Sequence, residues 1–401
     1  MTENQPPGPL VEPGPALTPA RIERYSRTLA LPGFGDEAQR RIRAARVLVI
    51  GAGGLGSAII PALAAAGFGT IGVVDADAVE TSNLPRQTIH TPADVGRSKV
   101  ASARDTITGL DAETRVVPVG AMLDSGNALE LFAAFDLVLD GSDNFPTRYL
   151  VDDAATLTGI PTVWGAVHQF GGQVGLSWAQ YGPTYRDLFP VPPEPGSVAS
   201  CAEAGALPSV CTVIGGLMVS QAITLVTGVG DALLGRAIVH DALRGTFREV
   251  RYERDPLAEP VVGLIDYDLF CGIGAATAPG ERTTLMERTG GAVTNRDLQD
   301  LLARGERITL IDVREPWEAQ LASIPGSALV PLGELEADLD EDAEGVATAL
   351  RDTSVVIYCH YGPRAEMARR LLIEAGVSDT VVLTGGIDAW ARDIDPGMAR
   401  Y

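Results

Sequence analysis

Apolar residues run almost unbroken through RVLVI (46–50) and TIGVV (70–74), and between them lies a glycine turn followed by the apolar stretch SAIIPALAAA. Short continuous apolar runs bounded by glycine fit strands buried on both faces, and the intervening stretch has helical length, so a βαβ unit is predicted. Further strands are expected at TRVVPV, DLVLDGSD and PTVWGAV, with helices between them. Strands alternating with helices call for a doubly wound, mainly parallel α/β sheet.

Upstream, RIERYSRTLALPGFGDEAQRRIR is charged and amphipathic and predicts two helices broken at Pro32 and Gly33. Downstream, GPTYRDLFPVPPEPGSVASCAEAG (182–205) is too rich in proline for regular structure and is expected to form a mobile crossover loop carrying Cys201. VCTVIGGLMVSQAITLVTG then predicts a buried helix, and RAIVHDA with GTFREVRYER predicts a hairpin closing the sheet. Composition turns to Gly, Ala, Thr and Pro near residues 271–288, marking a linker. Beyond it, RITLIDVRE, SVVIYCHYGPRAEMARRLLIEAG and TVVLTGGIDAWAR describe a second, smaller α/β unit. The expected organisation is a disordered tail (1–18), a large domain (19–270), the linker (271–288) and a small domain (289–401).

Charge narrows the function classes. A formal net charge of -21 argues against nucleic acid and anionic membranes as partners, because both select surplus Lys and Arg. The four cysteines, Cys201, Cys211, Cys271 and Cys359, form no C-x-x-C pair, which suits a reducing cytoplasm with one or two reactive thiols. The start lacks the charged and apolar regions of a signal peptide, and Ser57 to Val74 is broken by Pro61, Gly67 and Gly69, so no membrane span is expected.

Gly51, Gly53 and Gly56 form G-x-G-x-x-G between a strand and a helix, with Gly54 at the helix start and Asp75 ending the next strand. Such a Rossmann-like turn brings phosphate to a helix N-terminus, and Asp75 suits a ribose hydroxyl. Taken alone this fits an NAD-dependent oxidoreductase equally well. Asn83, Arg86 and Lys99 follow soon after, and Asp140, Asp143, Asn144 and Arg148 cluster in LDGSDNFPTR. Added cations and carboxylates suit a triphosphate with Mg²⁺ better than a dinucleotide.

RYSR, GAGGLGS, DADAVETSNLPRQ, GRSK, DGSDNFPTR and CAEAGALPSVCTVIGGLMVSQA occur in that order. Over residues 21 to 265 this series resembles the MoeB and ThiF-type enzymes that adenylate ubiquitin-like sulfur carriers. The resemblance implies a ubiquitin-activating-enzyme-like fold and ATP with Mg²⁺. It implies Asp75 on the ribose and Asn83, Arg86 and Lys99 on the phosphates. Asp143 would hold Mg²⁺, with Asp77 and Asn144 beside the nucleotide and Arg27 reaching into the partner subunit of a homodimer. Many relatives hold a four-cysteine zinc site; here two of its positions are Thr184 and Asp187, and RDPLAEPVVG has no cysteine. No structural zinc is expected, and the hairpin region is expected to be held by packing alone.

In YCHYGPRAEMARRLL, Cys359 sits between strand and helix with Arg364 five residues on. Loop amides, the helix dipole and Arg364 would favour a thiolate or persulfide there. With IDVRE around Asp312 and Arg314, and LTGGIDAW ending in Trp390, residues 289 to 397 resemble a rhodanese sulfurtransferase domain. The fused layout, with DYDLFCG at the junction, is similar to the actinobacterial MoeZ type. It implies adenylation of the C-terminal glycine of a small sulfur-carrier protein ending in Gly-Gly, then persulfide transfer from Cys359 to give the thiocarboxylate. The donor is expected to be a cysteine desulfurase or thiosulfate. Cys201 is a candidate to form a thioester or to cleave the acyl persulfide, whereas Cys211 and Cys271 are read as packing residues. A nicotinamide-linked oxidoreductase and a non-catalytic carrier-binding scaffold are the alternatives.

Overall fold

The computed structural model describes residues 8–193, 205–258, 260–271, 285–304, 306–350 and 353–401, and the chain divides into two compact units, the first ending at Cys271.

The first unit is built on β1 (Arg46–Ile50), β2 (Thr70–Val74), β3 (Arg115–Val119), β4 (Leu137–Asp140), β5 (Thr162–His168), β6 (Gly171–Ser177), β7 (Arg236–Asp241) and β8 (Thr246–Arg251). Their order in the sheet is β3-β2-β1-β4-β5-β6-β7-β8. The first five run parallel, and β6, β7 and β8 continue antiparallel. Val47 and Val49 enter one core with Ile71, Val73, Leu137 and Leu139, while Leu48 and Ile50 enter the opposite one with Val74 and Val138. Both faces are covered, which is why these strands are apolar throughout rather than at alternate positions.

β6 has no counterpart among the expected strands, because its glycines dilute the apolar pattern. Packing demands those glycines: a Cβ on Gly172 would meet Ile214 at 2.5 Å, and one on Gly175 would meet the Trp164 ring at 2.2 Å. Helix Pro208–Thr227 is long and apolar enough to cross a membrane by length and composition. Here Val210, Ile214, Met218 and Ala222 are buried in the core. Gly215 lets the helix press against helix Gly54–Ala66, since an added Cβ would lie 2.6 Å from that of Ala58.

Three expectations need correction. Residues 8–18, expected as part of a disordered tail, lie against the first unit: Leu10 donates its amide to the Leu225 carbonyl at 2.9 Å and packs with Val11 on the core, and Arg40 donates to the Gly14 carbonyl at 2.7 Å. The N-terminal segment forms three helices, Pro19–Arg24, Ser26–Leu29 and Gly35–Ala44. Tyr25 leaves helical geometry between the first two, and Arg21 grips Asp111 with two hydrogen bonds of 2.5 and 2.9 Å. Packing alone does not hold the region after the hairpin either. Asp187 accepts from the amides of Thr184 at 2.7 Å and Asp255 at 2.8 Å, and Arg254 donates to the carbonyls of Ala179 and Gly182. Arg186 pairs with Asp153 through contacts of 2.6 and 2.8 Å. Asp187 thus ties the two segments through backbone amides.

The second unit carries β9 (Ala292–Val293), β10 (Ile308–Asp312), β11 (Ala328–Leu329), β12 (Ser354–Tyr358) and β13 (Thr380–Leu383). They form an all-parallel sheet in the order β11-β10-β12-β13-β9. Val355 and Ile357 face one core cluster, Val356 and Tyr358 the other.

Candidate functional site

In an open parallel sheet, a crevice opens where the strand order reverses, outside the carboxyl ends of the strands. That reversal falls between β1 and β4, and a cavity of about 240 Å³ lies there. Gly51, Gly53 and Gly54 line it after β1, Asp75 and Asp77 after β2, and Ser142, Asp143 and Asn144 after β4. Gly51 has φ 88°, and a Cβ on Gly56 would sit 2.2 Å from the Gly51 carbonyl oxygen, so the turn requires glycine at both positions. Helix Gly54–Ala66 begins on Gly53 without a side-chain cap, leaving its first amides available to an anion.

Asp75 braces this turn. Its Oδ2 accepts from the Ala52 amide at 2.8 Å and its Oδ1 from the Asp77 amide at 2.8 Å. Arg86 and Lys99 border the cavity, Lys99 reaching Asp77 with Nζ 2.7 Å from Oδ2, and Arg86 donating to the Ser82 carbonyl at 3.0 Å. Asn144 caps helix Phe145–Thr158 by accepting from the Thr147 amide. The exposed Asp143 carboxylate makes no hydrogen bond or ion pair among the described residues. Arg148 is buried and donates to the carbonyls of Gly165 and Ser142, fixing the loop that carries Asp143. Asp140 is buried behind that loop, where burial pushes its carboxyl up against the opposing effect of Arg148.

Asn83 and Arg27 are not among the residues lining the cavity. Asn83 is buried, and its side chain accepts from the Glu80 amide to shape the turn that delivers Arg86. Arg27 is exposed on helix Ser26–Leu29.

Two contributors escaped the sequence reading. His90 is buried with Nε2 3.1 Å from the Ala52 carbonyl and Nδ1 2.8 Å from the Ser102 hydroxyl. Burial pushes its pKa down, so the neutral ring donates to Ala52 and accepts from Ser102, holding the glycine turn from behind. Cys211, read as packing, is buried but also lines the cavity from the first turn of helix Pro208–Thr227. Its Sγ would lie 2.9 Å from a Cβ on Gly54. Burial raises its pKa and the nearby Arg86 charge partly offsets this. Cys271 is buried in apolar packing, and Cys201 lies outside the described residues.

In the second unit Cys359 follows β12, and Gly362 donates its amide to Sγ at 3.1 Å. Helix Pro363–Glu374 starts at once behind it. The carbonyls of Cys359 and His360 are turned away, accepting from the amides of Ile387 at 3.0 Å and Asp388 at 3.2 Å. This explains the glycine pair of LTGGIDAW: Gly386 has φ 58°, and a Cβ there would meet the Cys359 and His360 oxygens at 2.5 and 2.4 Å. Cys359 is 1% exposed, deeper than its place after the apolar run suggested. Arg364 is not a free counter-charge either, since Glu318 binds it through contacts of 2.6 and 2.8 Å. Asp312 and Arg314 form a fully buried pair, and Trp390 packs in the core.

Comparison with known proteins agrees with both halves. The ThiF family matches residues 25–259 and the rhodanese-like domain matches residues 294–393. The chain is 46% identical over 397 residues to the probable adenylyltransferase/sulfurtransferase MoeZ of Mycobacterium tuberculosis, covering 98% of both chains. It is 37% identical over 417 residues to the bovine adenylyltransferase and sulfurtransferase MOCS3, covering 97% of this chain and 90% of that one. The sulfur carrier protein adenylyltransferase of Thermus thermophilus is 45% identical over 268 residues, 64% of this chain and 98% of that one. Among solved structures, E. coli MccB with ATP shares the fold, with a TM-score of 0.52 and 21% identity over 58% of this chain and 73% of that one. The chain belongs to the ThiF family, in the form that carries a rhodanese-like domain after the nucleotide-binding fold.

Proposed function

We propose that the chain uses ATP to adenylate the C-terminal glycine of a small sulfur-carrier protein and then delivers persulfide sulfur from Cys359 to form the carrier thiocarboxylate. The observation that carries this is the convergence of the glycine turn, Asp75, Asp77, Arg86, Lys99 and Asp143 on one cavity, in a chain that also holds the Cys359 sulfur against the Gly362 amide before a helix.

The residues fit a nucleoside triphosphate. Asp75 receives ribose hydroxyls through lone pairs not used by Ala52 and Asp77, and the glycine turn and helix amides take phosphate oxygens. Arg86 and Lys99 neutralise charge that develops as the carrier carboxylate attacks the α-phosphate and pyrophosphate leaves. Asp143, which has no protein partner among the described residues, is the group that would hold Mg²⁺. The metal would supply further neutralisation of the phosphates. Asn144, through the start of its helix, orders the same loop, and Arg27 is assigned to the site of a partner subunit in a homodimer.

In the second step the outer sulfur of the Cys359 persulfide attacks the acyl carbon and AMP departs, leaving an acyl persulfide. A second thiol, Cys201 or an external reductant, attacks the Cys359 sulfur of that S–S bond and releases the thiocarboxylate, with a disulfide to Cys359 left for reduction. The sulfur donor is assigned to a cysteine desulfurase or thiosulfate, and the compartment to the cytoplasm. Carrier-dependent ATP–pyrophosphate exchange tests the first step; absence of exchange with every carrier ending in Gly-Gly overturns it.

A further inference from the structure

Around the Cys359 loop, one aromatic residue is placed as no packing residue needs to be. The Tyr401 hydroxyl accepts from Arg314 Nη1 at 2.5 Å and donates to Glu318 Oε1 at 3.0 Å. Glu318, 3% exposed, holds Arg364 with both carboxylate oxygens. Arg314 is itself committed to Asp312 at 2.8 and 2.5 Å. The Tyr401 ring stacks on His360 at 4.3 Å, and His360 stacks on Tyr361 at 4.0 Å. Trp317 meets Tyr401 edge-on at 5.9 Å. Arg364 and Arg314 are therefore each engaged by a buried carboxylate, and the loop is flanked by aromatic faces.

A small dianion such as thiosulfate needs cations where it docks, and to use Arg364 it must displace a two-point ion pair in a poorly solvated setting. The Tyr401 hydroxyl makes that displacement harder, because it fixes Glu318 in the pairing position. We propose that Tyr401 is a positioning residue of the sulfur-transfer centre: through Glu318 it keeps Arg364 engaged and so sets how weakly the centre accepts a small dianionic sulfur donor.

The proposal rests on the reading of Cys359 as the sulfur carrier. With thiosulfate, the Cys359 thiolate attacks the outer sulfur, the S–S bond of thiosulfate breaks and sulfite leaves with the electron pair. Cyanide then removes the outer sulfur as thiocyanate and restores the thiolate.

The test uses the full chain as wild type, Tyr401→Phe, Glu318→Gln and Cys359→Ala. Thiosulfate–cyanide kinetics are measured beside alkylation of Cys359 by neutral iodoacetamide and anionic iodoacetate, followed on the Cys359 peptide by mass spectrometry. Tyr401→Phe keeps the ring stack and loses only the hydroxyl, so KM for thiosulfate falls about three- to tenfold, the scale of one hydrogen bond, with kcat little changed. The iodoacetate-to-iodoacetamide rate ratio rises in the same variant, and Glu318→Gln shifts both readouts further. Unchanged KM and an unchanged ratio in Tyr401→Phe overturn the proposal. If the wild type forms no persulfide from thiosulfate or from a protein persulfide, the reading of Cys359 fails instead, and the alkylation ratio alone still decides the role of Tyr401.

Discussion

Lys99 directs its ammonium at Asp77, Nζ 2.7 Å from Oδ2, and both residues border the cavity at the sheet's switch point. The carboxylate holds a buried lysine side chain in place beside the position assigned to the phosphates. Lys99→Ala is expected to lower carrier-dependent ATP–pyrophosphate exchange by ~10²–10³-fold, the usual scale for one preorganised charge. Asp77→Asn, which leaves the ammonium in place, should cost far less, and equal losses in the two variants would refute this division of roles.

Gly56 is the point where the nucleotide turn tolerates no side chain. Its added Cβ would lie 2.2 Å from the Gly51 oxygen and 3.1 Å from the Gly51 carbonyl carbon, both backbone atoms. Gly56→Ala should destabilise the first unit by about 3 kcal/mol, at the upper end of overpacking costs. Gly216, with nothing within 4 Å of an added Cβ, is the control. Gly216→Ala should leave stability unchanged or raise it slightly by calorimetry.

Cys211 places a thiol against Gly54 in the cavity wall. Its raised pKa makes alkylation slow, but once attached the group fills space next to the glycine turn. Alkylation at Cys211 should abolish ATP–pyrophosphate exchange, ATP should protect against it, and Cys211→Ser should stay active and resistant. A sensitive Cys211→Ser enzyme would move the effect to another cysteine.

The two chemistries should separate cleanly at Cys359. Cys359→Ala is expected to retain pyrophosphate exchange within about twofold and to lose thiocarboxylate formation, measured by mass spectrometry of the carrier. Loss of exchange in this variant would contradict the assignment of adenylation to the first unit.

Two buried carboxyls give the units opposite pH responses. Burial lifts Asp152 to about 6, above its unfolded value of ~3.9, so the folded state takes up a proton there. Its favourable contribution is complete below about pH 4 and is lost as pH rises through 6, worth ~3 kcal/mol by neutrality. Asp152→Asn should flatten the stability slope of the first unit between pH 4 and 6. Glu318 behaves the other way: burial opposes ionisation, but Arg364 and the Glu315 amide bring it down to about 2. Its stabilisation is present above ~4.3 and disappears as pH falls towards 2. Thermal denaturation of Glu318→Gln and wild type should therefore converge at low pH and diverge above pH 5.

Much of this molecule was legible along the chain. The apolar runs at 46–50 and 70–74, the glycine turn between them, the long helix near 210–227 and the placing of Cys359 before a helix all depend on neighbours within a few residues. Buried parallel strands, helices and glycine turns write themselves into local order in that way. β6 was hidden because its glycines answer Ile214 and Trp164, residues of other elements.

What the sequence alone determined was therefore the parallel α/β scaffold, the nucleotide turn and the thiol loop. Tertiary structure decided which side chains stand around them. Cys211 reaches the cavity only because its helix crosses the start of helix Gly54–Ala66, and His90 supports Ala52 from 38 residues away. Glu318 meets Arg364 across 46 residues, and Tyr401 meets Arg314 across 87. Asp187 reaches Asp255 across 68 residues, replacing by hydrogen bonds a tie that packing was expected to supply. Spacing along the chain does not encode such pairings; they exist only after the sheet has brought distant segments within hydrogen-bond reach.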